Sequence, residues 1–234
     1  MKNRDLNFLV EKVGYFDLDG DAKKKIWQKA QEVVFSDTVT GNSISKNQAK
    51  AKMMWSDEGL FILWQVEDEH IWGTFENDDD PIYDEEVVEI FIAKGENIPN
   101  NYFEFQFSPL GVKFDAKIKN PTGDRHDSGF NVDIGWNCES LKFIQHCYPE
   151  RRLAKGETSR KTTSRPFPGT WVTEAFIPWK SLNVENAKKG DIFRANLFRI
   201  DGYPKQNSFQ AWQPTLLDPP NFHVPSKFGF LELE

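Results

Sequence analysis

Asp79-Asp80-Pro81-Ile82-Tyr83-Asp84-Glu85-Glu86-Val87-Val88-Glu89-Ile90-Phe91-Ile92 joins an acidic loop, bearing one aromatic residue, to a run with the alternation of a strand. Strand side chains point to alternate faces, so Val88, Ile90 and Ile92 share one face, and Val87, Glu89 and Phe91 the other. Glu89 is then either a solvated outer residue or an acceptor held on a rigid element to meet a ligand. Tyr102-Phe103-Glu104-Phe105-Gln106-Phe107 alternates in the same way, with three phenylalanines on one face and Tyr102, Glu104 and Gln106 on a ligand-capable other. Tyr83 in the loop, and Trp212 in Gln210-Ala211-Trp212-Gln213-Pro214-Thr215, set aromatic rings among polar neighbours. Flat rings against the C–H patches of a sugar, with planar polar side chains on its hydroxyls, are the devices of carbohydrate recognition. Glu89 and Glu104 taken as an acid–base pair would instead describe a glycosidase; the sequence does not set their separation. Trp212 reads equally as a platform or as a cap under the Leu216 to Pro225 loop.

Other candidate groups carry less. Asp17, Asp19 and Asp21 alternate as calcium-binding oxygens do, but the downstream bidentate Glu of an EF-hand loop is missing. Cys138 and Cys147 are the only cysteines; they form either one bridge or two free thiols, and no second pair is present to build a zinc site. His70 stands beside Trp72 without a partnered nucleophile. Met53 and Met54 read as core residues, not as the axial ligands that a haem-binding sandwich needs.

The 234 residues carry a net charge of −7, which disfavours nucleic acid as a partner. Arg151, Arg152, Lys155, Arg160, Lys161 and Arg165 are the one basic cluster, in a polar stretch read as a solvated loop. No apolar run approaches a membrane span, and Met1-Lys2-Asn3-Arg4-Asp5 is polar without the following apolar stretch of a signal peptide.

The elements that must position these groups read as short strands. Ala49 to Trp55 and Leu60 to Asp68 flank a Gly59-bearing turn as a hairpin. Val112, Phe114, Ala116 and Ile118 alternate with Lys113, Asp115, Lys117 and Lys119, a Lys-rich outer face suited to an edge. Trp171 to Ile177 is stopped by Pro178 before a helical turn, and Ile192 to Ile200, Phe209 to Gln213 and Phe228 to Leu233 complete the set. This pattern predicts an all-β fold: one antiparallel β-sandwich over residues 1–234, jelly-roll or Ig-like, with a few short helical turns.

Asp19-Gly20 and Trp27, Trp55-Ser56-Asp57-Glu58-Gly59-Leu60, the acidic strand, Ala175-Phe176-Ile177-Pro178-Trp179, Trp212 and Pro225-Ser226-Lys227-Phe228-Gly229-Phe230-Leu231-Glu232-Leu233 occur in the order found in family 9 carbohydrate-binding modules, which the chain resembles over most of its length. The resemblance implies a sandwich that holds a terminal sugar between two rings without chemistry. It also implies a structural calcium, no organic cofactor, a secreted, periplasmic or cell-surface location, and a glycoside hydrolase as a separate partner. By position it puts one platform on Trp212, the other on Tyr83 where the family has Trp, and the strand acid on Glu89. Glu104 falls where the family has Arg, a charge reversal; Arg199, at a strand end, could supply the missing donors. The expected sugar contacts are Tyr83, Glu89, Glu104, Gln106, Arg199, Trp212 and Gln213. The rivals are a protein-interaction module without a sugar, a hydrolase-associated sandwich and a haem-binding sandwich.

Overall fold

The computed structural model describes residues 7–149, 166–203 and 208–234; the basic cluster from Arg151 to Arg165 lies outside them. Strands β1 (Asn7–Lys12), β2 (Glu32–Val34), β3 (Ser36–Asp37), β4 (Ala49–Trp55), β5 (Gly59–Ile71), β6 (Val87–Lys94) and β7 (Asn101–Phe107) are followed by β8 (Lys113–Lys119), β9 (Asn131–Asp133), β10 (Lys142–Pro149), β11 (Phe167–Pro178), β12 (Ile192–Asp201), β13 (Ser208–Ala211) and β14 (Gly229–Leu233). One layer runs β10-β11-β5-β4, with β2 also on β4; the other runs β14-β12-β6-β7-β8-β9, with β13 beside the end of β12 and paired to β3.

β1 belongs to both layers. Residues Asn7 to Val10 pair parallel with β14, and Glu11 and Lys12 pair parallel with β4. The sandwich is therefore mixed where β1 enters it, while its other strand pairings are antiparallel.

Val88, Ile90 and Ile92 of β6 and Phe103, Phe105 and Phe107 of β7 pack across the sandwich with Leu60, Ile62, Trp64 and Val66 of β5 and Trp171, Ala175 and Ile177 of β11. Burying each of these side chains contributes roughly 1.5–3 kcal/mol, so this interlayer row fixes the register of β6 and with it the face on which Glu89 emerges.

Both outer faces are covered as well, which accounts for the continuous apolar start of β5. Met54, Phe61, Leu63, Val172 and Phe176 pack under Trp27 and Ala30 of the N-terminal segment. That segment is tied down by buried Glu174 of β11, whose carboxylate accepts from the amides of Asp19 (2.8 Å) and Gly20 (2.9 Å) and from Trp27 Nε1 (2.8 Å). On the other layer Phe91, Tyr102, Phe114, Ala116, Ile118 and Phe198 form a second apolar surface, closed in part by Phe222 and Phe228.

β8 reverses the expected sides. In its register with β7, Ala116 lies opposite Glu104 and Phe114 opposite Gln106, while Lys117, Asp115 and Lys113 lie opposite the three phenylalanines. The Lys-rich row is therefore on the interlayer side at the edge of the sandwich, where Lys117 Nζ stands 5.2 Å over the Trp136 ring. The apolar row instead walls the outer face.

Cys138 and Cys147 are both free. The Cys138 amide donates to Asp115 Oδ2 (2.5 Å), and Cys147 Sγ donates to the Pro109 carbonyl (3.4 Å). Burial pushes the two thiols up to about 11 and about 12, which makes them poor nucleophiles. Met53 and Met54 are fully buried, as core residues.

Candidate functional site

The outer face of β6, β7 and β8 is not closed over its whole area. Between the loop that precedes β6 and the loop that precedes β14 it leaves a cavity of about 500 Å³, with Glu89, Glu104 and Gln106 at its base and Tyr83, Phe91, Phe114, Phe209 and Phe222 among its walls. That volume is in the range of small-molecule pockets.

Each wall is held from outside. The single helical turn Ile82–Asp84 presents Tyr83, which is 43% exposed and meets Phe114 edge-on at 5.6 Å. The turn is anchored ahead of it by the Asp79 amide on the Lys113 carbonyl (2.9 Å) and behind it by Glu85, whose carboxylate accepts from the Thr74 amide (2.7 Å). A β-carbon on Gly202 would lie 2.7 Å from the Glu85 carbonyl oxygen, so glycine lets the two segments close. Opposite, Phe222 stacks on Phe198 at 4.1 Å, and His223 stacks on Phe91 at 5.0 Å.

The base is acidic and buried. Glu89 is 1% exposed, Gln106 2% and Glu104 4%. In the β6–β7 register Glu89 lies opposite Gln106, and Phe91 opposite Glu104, so the two carboxylates are diagonal neighbours on one wall. Gln106 Nε2 donates to Glu104 Oε1 (2.5 Å). Glu89 Oε1 and Gln106 Oε1 are buried and have no hydrogen-bond partner among the described residues. Burial, partly offset by the Gln106 amide, pushes the Glu104 carboxyl up to about 7. Burial and then the Glu104 charge push Glu89 upward as well. His223 is driven down to about 3, first by burial and then by the Arg125 charge, so its ring is neutral. Its Nε2 stands 4.0 Å from Glu104 Oε2 while Tyr102 Oη bonds its Nδ1 (2.9 Å); with a neutral ring the contact to Glu104 is dipolar.

Of the seven expected contacts, the structure brings together Tyr83, Glu89, Glu104 and Gln106. It puts the other three elsewhere. Arg199 is wholly buried on β12, where Nη2 bonds Asp68 Oδ2 (2.7 Å) and lies 3.4 Å from Glu86 and 3.6 Å from Asp201; Nη1 donates to the Asn47 carbonyl. Its two terminal nitrogens are engaged within the protein, its Nε is buried without a partner among the described residues, and the residue does not line the pocket. Trp212 packs edge-on against Phe8 at 6.0 Å and over Gly229, where a β-carbon would come within 2.5 Å of its ring. Its half-buried ring packs against the interlayer core. Gln213 is held through its backbone, its amide donating to Asn196 Oδ1 (2.9 Å) and its carbonyl accepting from Asn196 Nδ2 (2.8 Å).

The pocket also contains residues that the sequence pattern did not single out, chiefly Phe222, His223, Phe209 and Arg125. Phe222, His223 and Arg125 lie in loops and Phe209 in the four-residue strand β13, where periodicity carries no signal.

Asp19 Oδ1 pairs with Lys24 Nζ (2.9 Å) and accepts from the Asp21 amide (3.0 Å); Asp21 Oδ1 accepts from the Lys23 amide (2.9 Å); and the Asp17 carbonyl takes a bond from Lys24 Nζ (2.7 Å). A lysine and turn amides thus take one carboxylate oxygen of Asp19, one of Asp21 and the backbone carbonyl of Asp17. Among the described residues, the acidic group that could hold a metal is Asp68, Glu86 and Asp201, whose ligand oxygens lie within 4.8 Å of one another around Arg199.

No helix among the described residues is long and apolar enough to cross a membrane. The family model described as "Carbohydrate family 9 binding domain-like" matches residues 18–234. An extracellular protein of Arthroderma benhamiae is 29% identical over 187 residues, which cover 77% of this chain and 76% of its own. Endo-1,4-beta-xylanase C of Paenibacillus barcinonensis is 34% identical over 94 residues, 40% of this chain but 8% of the xylanase. A family 9 carbohydrate-binding module from Caldicellulosiruptor kristjanssonii, solved with cellotriose, superposes with a TM-score of 0.61 at 15% identity, covering 97% of this chain and 93% of that one.

Proposed function

We propose, from the premise that this chain belongs to the carbohydrate family 9 binding domain-like family, that the acidic pocket over β6, β7 and β8 holds a sugar unit and performs no chemistry on it. The observation that carries this reading is the pairing of aromatic walls with buried acceptors, Glu89 Oε1 and Gln106 Oε1, that have no partner among the described residues. Buried polar groups without partners cost free energy, and a ligand bearing hydrogen-bond donors would relieve that cost. Tyr83, half open beside Phe114, is suited to stack on a sugar face. Glu89 and Glu104 rise from the same wall, so they do not flank a glycosidic bond from opposite sides as a hydrolase pair does.

Calorimetric titration against glucose, cello-oligosaccharides and other sugars tests the binding, with Tyr83→Ala as the comparison. Binding by wild type that weakens at least ten-fold in the variant supports the pocket. No binding across the panel sinks it, and release of reducing ends from an oligosaccharide would sink the non-catalytic part.

The xylanase match and the extracellular relative support a secreted protein that keeps a glycoside hydrolase at its substrate; fractionation of expressing cells, and hydrolase rates on insoluble polysaccharide with and without this module, test the two parts. A structural calcium suits the all-oxygen set of Asp68, Glu86 and Asp201. Three carboxylates there face the single positive charge of Arg199. A rise in melting temperature with calcium, reversed by chelator, supports the ion; no change assigns the cluster to Arg199 alone.

A further inference from the structure

We infer that the sugar this pocket selects carries a protonated primary amine, seated against Glu89 and Glu104. The inference rests on the sugar-binding reading above and names the class of its ligand. Every unpartnered side-chain atom on the pocket base is an acceptor: Glu89 Oε1 and Gln106 Oε1. With Glu104 ionised, the Gln106 amide keeps its hydrogens turned toward it, because its oxygen would otherwise stand 2.5 Å from the carboxylate oxygen. The remaining Glu104 oxygen has His223 Nε2 at 4.0 Å, beyond hydrogen-bond reach. The base therefore asks its ligand for several hydrogens at one place. A hydroxyl donates one; an ammonium donates three and brings a positive charge to a pair of acids that burial pushes toward their neutral forms.

The charge balance agrees. Asp84, Glu89 and Glu104 line the pocket against Arg125 alone, and Arg125 is exposed on the loop after β8. Neither glutamate forms an ion pair with a lysine or arginine among the described residues. A bare metal ion fits less well: calcium takes about six to eight oxygens, and Glu89, Glu104 and Gln106 approach from one wall of a cavity of about 500 Å³.

The groups facing the pair are Tyr83 and Asp84 from the loop before β6, Tyr102 on β7, Arg125 after β8, and His223 before β14. His223 titrates at about 3 and burial raises both tyrosines, so none of these three changes charge between pH 5 and 7. Glu104, at about 7, does. Protons then compete with the amine on the acid side of neutrality.

The test is calorimetric titration with glucosamine, glucose, N-acetylglucosamine and calcium chloride at pH 7.5 and pH 5.5, at low and high salt, on wild type, Glu104→Gln and Glu89→Gln, each checked for fold by circular dichroism. The expected result is glucosamine binding at least ten-fold more tightly than the two uncharged sugars at pH 7.5. The preference should shrink at pH 5.5 and in high salt, and the glucosamine-to-glucose ratio should fall toward one in whichever Gln variant keeps its fold. Glucose binding as tightly as glucosamine overturns the amine inference and leaves the sugar reading standing. Failure of every sugar overturns both, and calcium binding abolished by the Gln variants reassigns the base as an ion site.

Discussion

At pH 8 the Glu104→Gln variant should be more stable than wild type, although it removes a group from the binding site. The ordinary glutamic acid titrates near 4.5, and burial moves Glu104 to about 7. Because its folded value is raised, the stability this group contributes is fully present below about 4.5 and is lost as pH rises through about 7. From pH 5 to pH 7 the loss, at 1.36 kcal/mol per pH unit, is about 2.5 kcal/mol. Gln is isosteric, keeps an oxygen to accept from Gln106 Nε2, and does not titrate. Removing the Glu104 charge also relieves Glu89, whose upward displacement comes from burial first and from Glu104 second. His223 acts in the opposite sense: its value is lowered to about 3, so it costs stability as pH falls below 6.5. That cost is common to both proteins and cancels in their difference. Urea denaturation of wild type and variant at pH 5 and pH 8 gives the quantity needed, the difference of the differences, expected at about 2.5 kcal/mol in favour of the variant. A variant that loses stability at pH 8, or a pH-independent difference, would falsify the description of Glu104 as a strained acid.

Tyr83→Ala should leave unfolding free energy within about 0.5 kcal/mol of wild type, as exposed positions do, while sugar affinity falls ten-fold or more; loss of stability without loss of affinity would make Tyr83 a structural residue. Arg199→Met strands Asp68, Glu86 and Asp201 without their guanidinium and should cost about 3–5 kcal/mol in urea denaturation; a cost below about 1 kcal/mol would show that the cluster is neutralised otherwise. Trp212→Ala should cost about 2–4 kcal/mol by opening the contact with Phe8 and Gly229, with sugar affinity unchanged within two-fold; a ten-fold weaker affinity with an intact fold would restore Trp212 as a platform.

The strand framework was legible because its signal is local. Val88, Ile90 and Ile92 opposite Glu89, and Phe103, Phe105 and Phe107 opposite Glu104 and Gln106, divide as their alternation says, and Glu89 and Glu104 come to one pocket because adjacent strands share a face. Alternation does not say what covers a face. Glu89 has the pattern of a solvated residue and is buried because loops rise around it. The same limit explains Trp212, Arg199 and Phe222. A polar neighbourhood in sequence left Trp212 open between platform and cap, the family resemblance made it a platform, and a strand end offered Arg199 as a donor; packing holds Trp212 against Phe8 and Arg199 against Asp68, and brings Phe222 into the pocket from a loop. For β8 the pattern was right and the side was wrong, because a strand near the margin of its layer can leave lysines on the inner side where the opposing layer ends.

The double membership of β1 has a mechanical consequence. Its four residue pairs with β14 run parallel, from Asn7 opposite Phe230 to Val10 opposite Leu233, so traction applied at residue 7 and at residue 233 loads that ladder in shear. Its hydrogen bonds then share the load and must yield together, not one after another as in an unzipping hairpin. The line of force passes through β1 and β14, while β6, β7 and β8, which carry the pocket, lie to one side beyond β12. A chain pulled at both ends by flow or by a moving partner would keep the strands at the base of the pocket in register while β1 and β14 carried the tension.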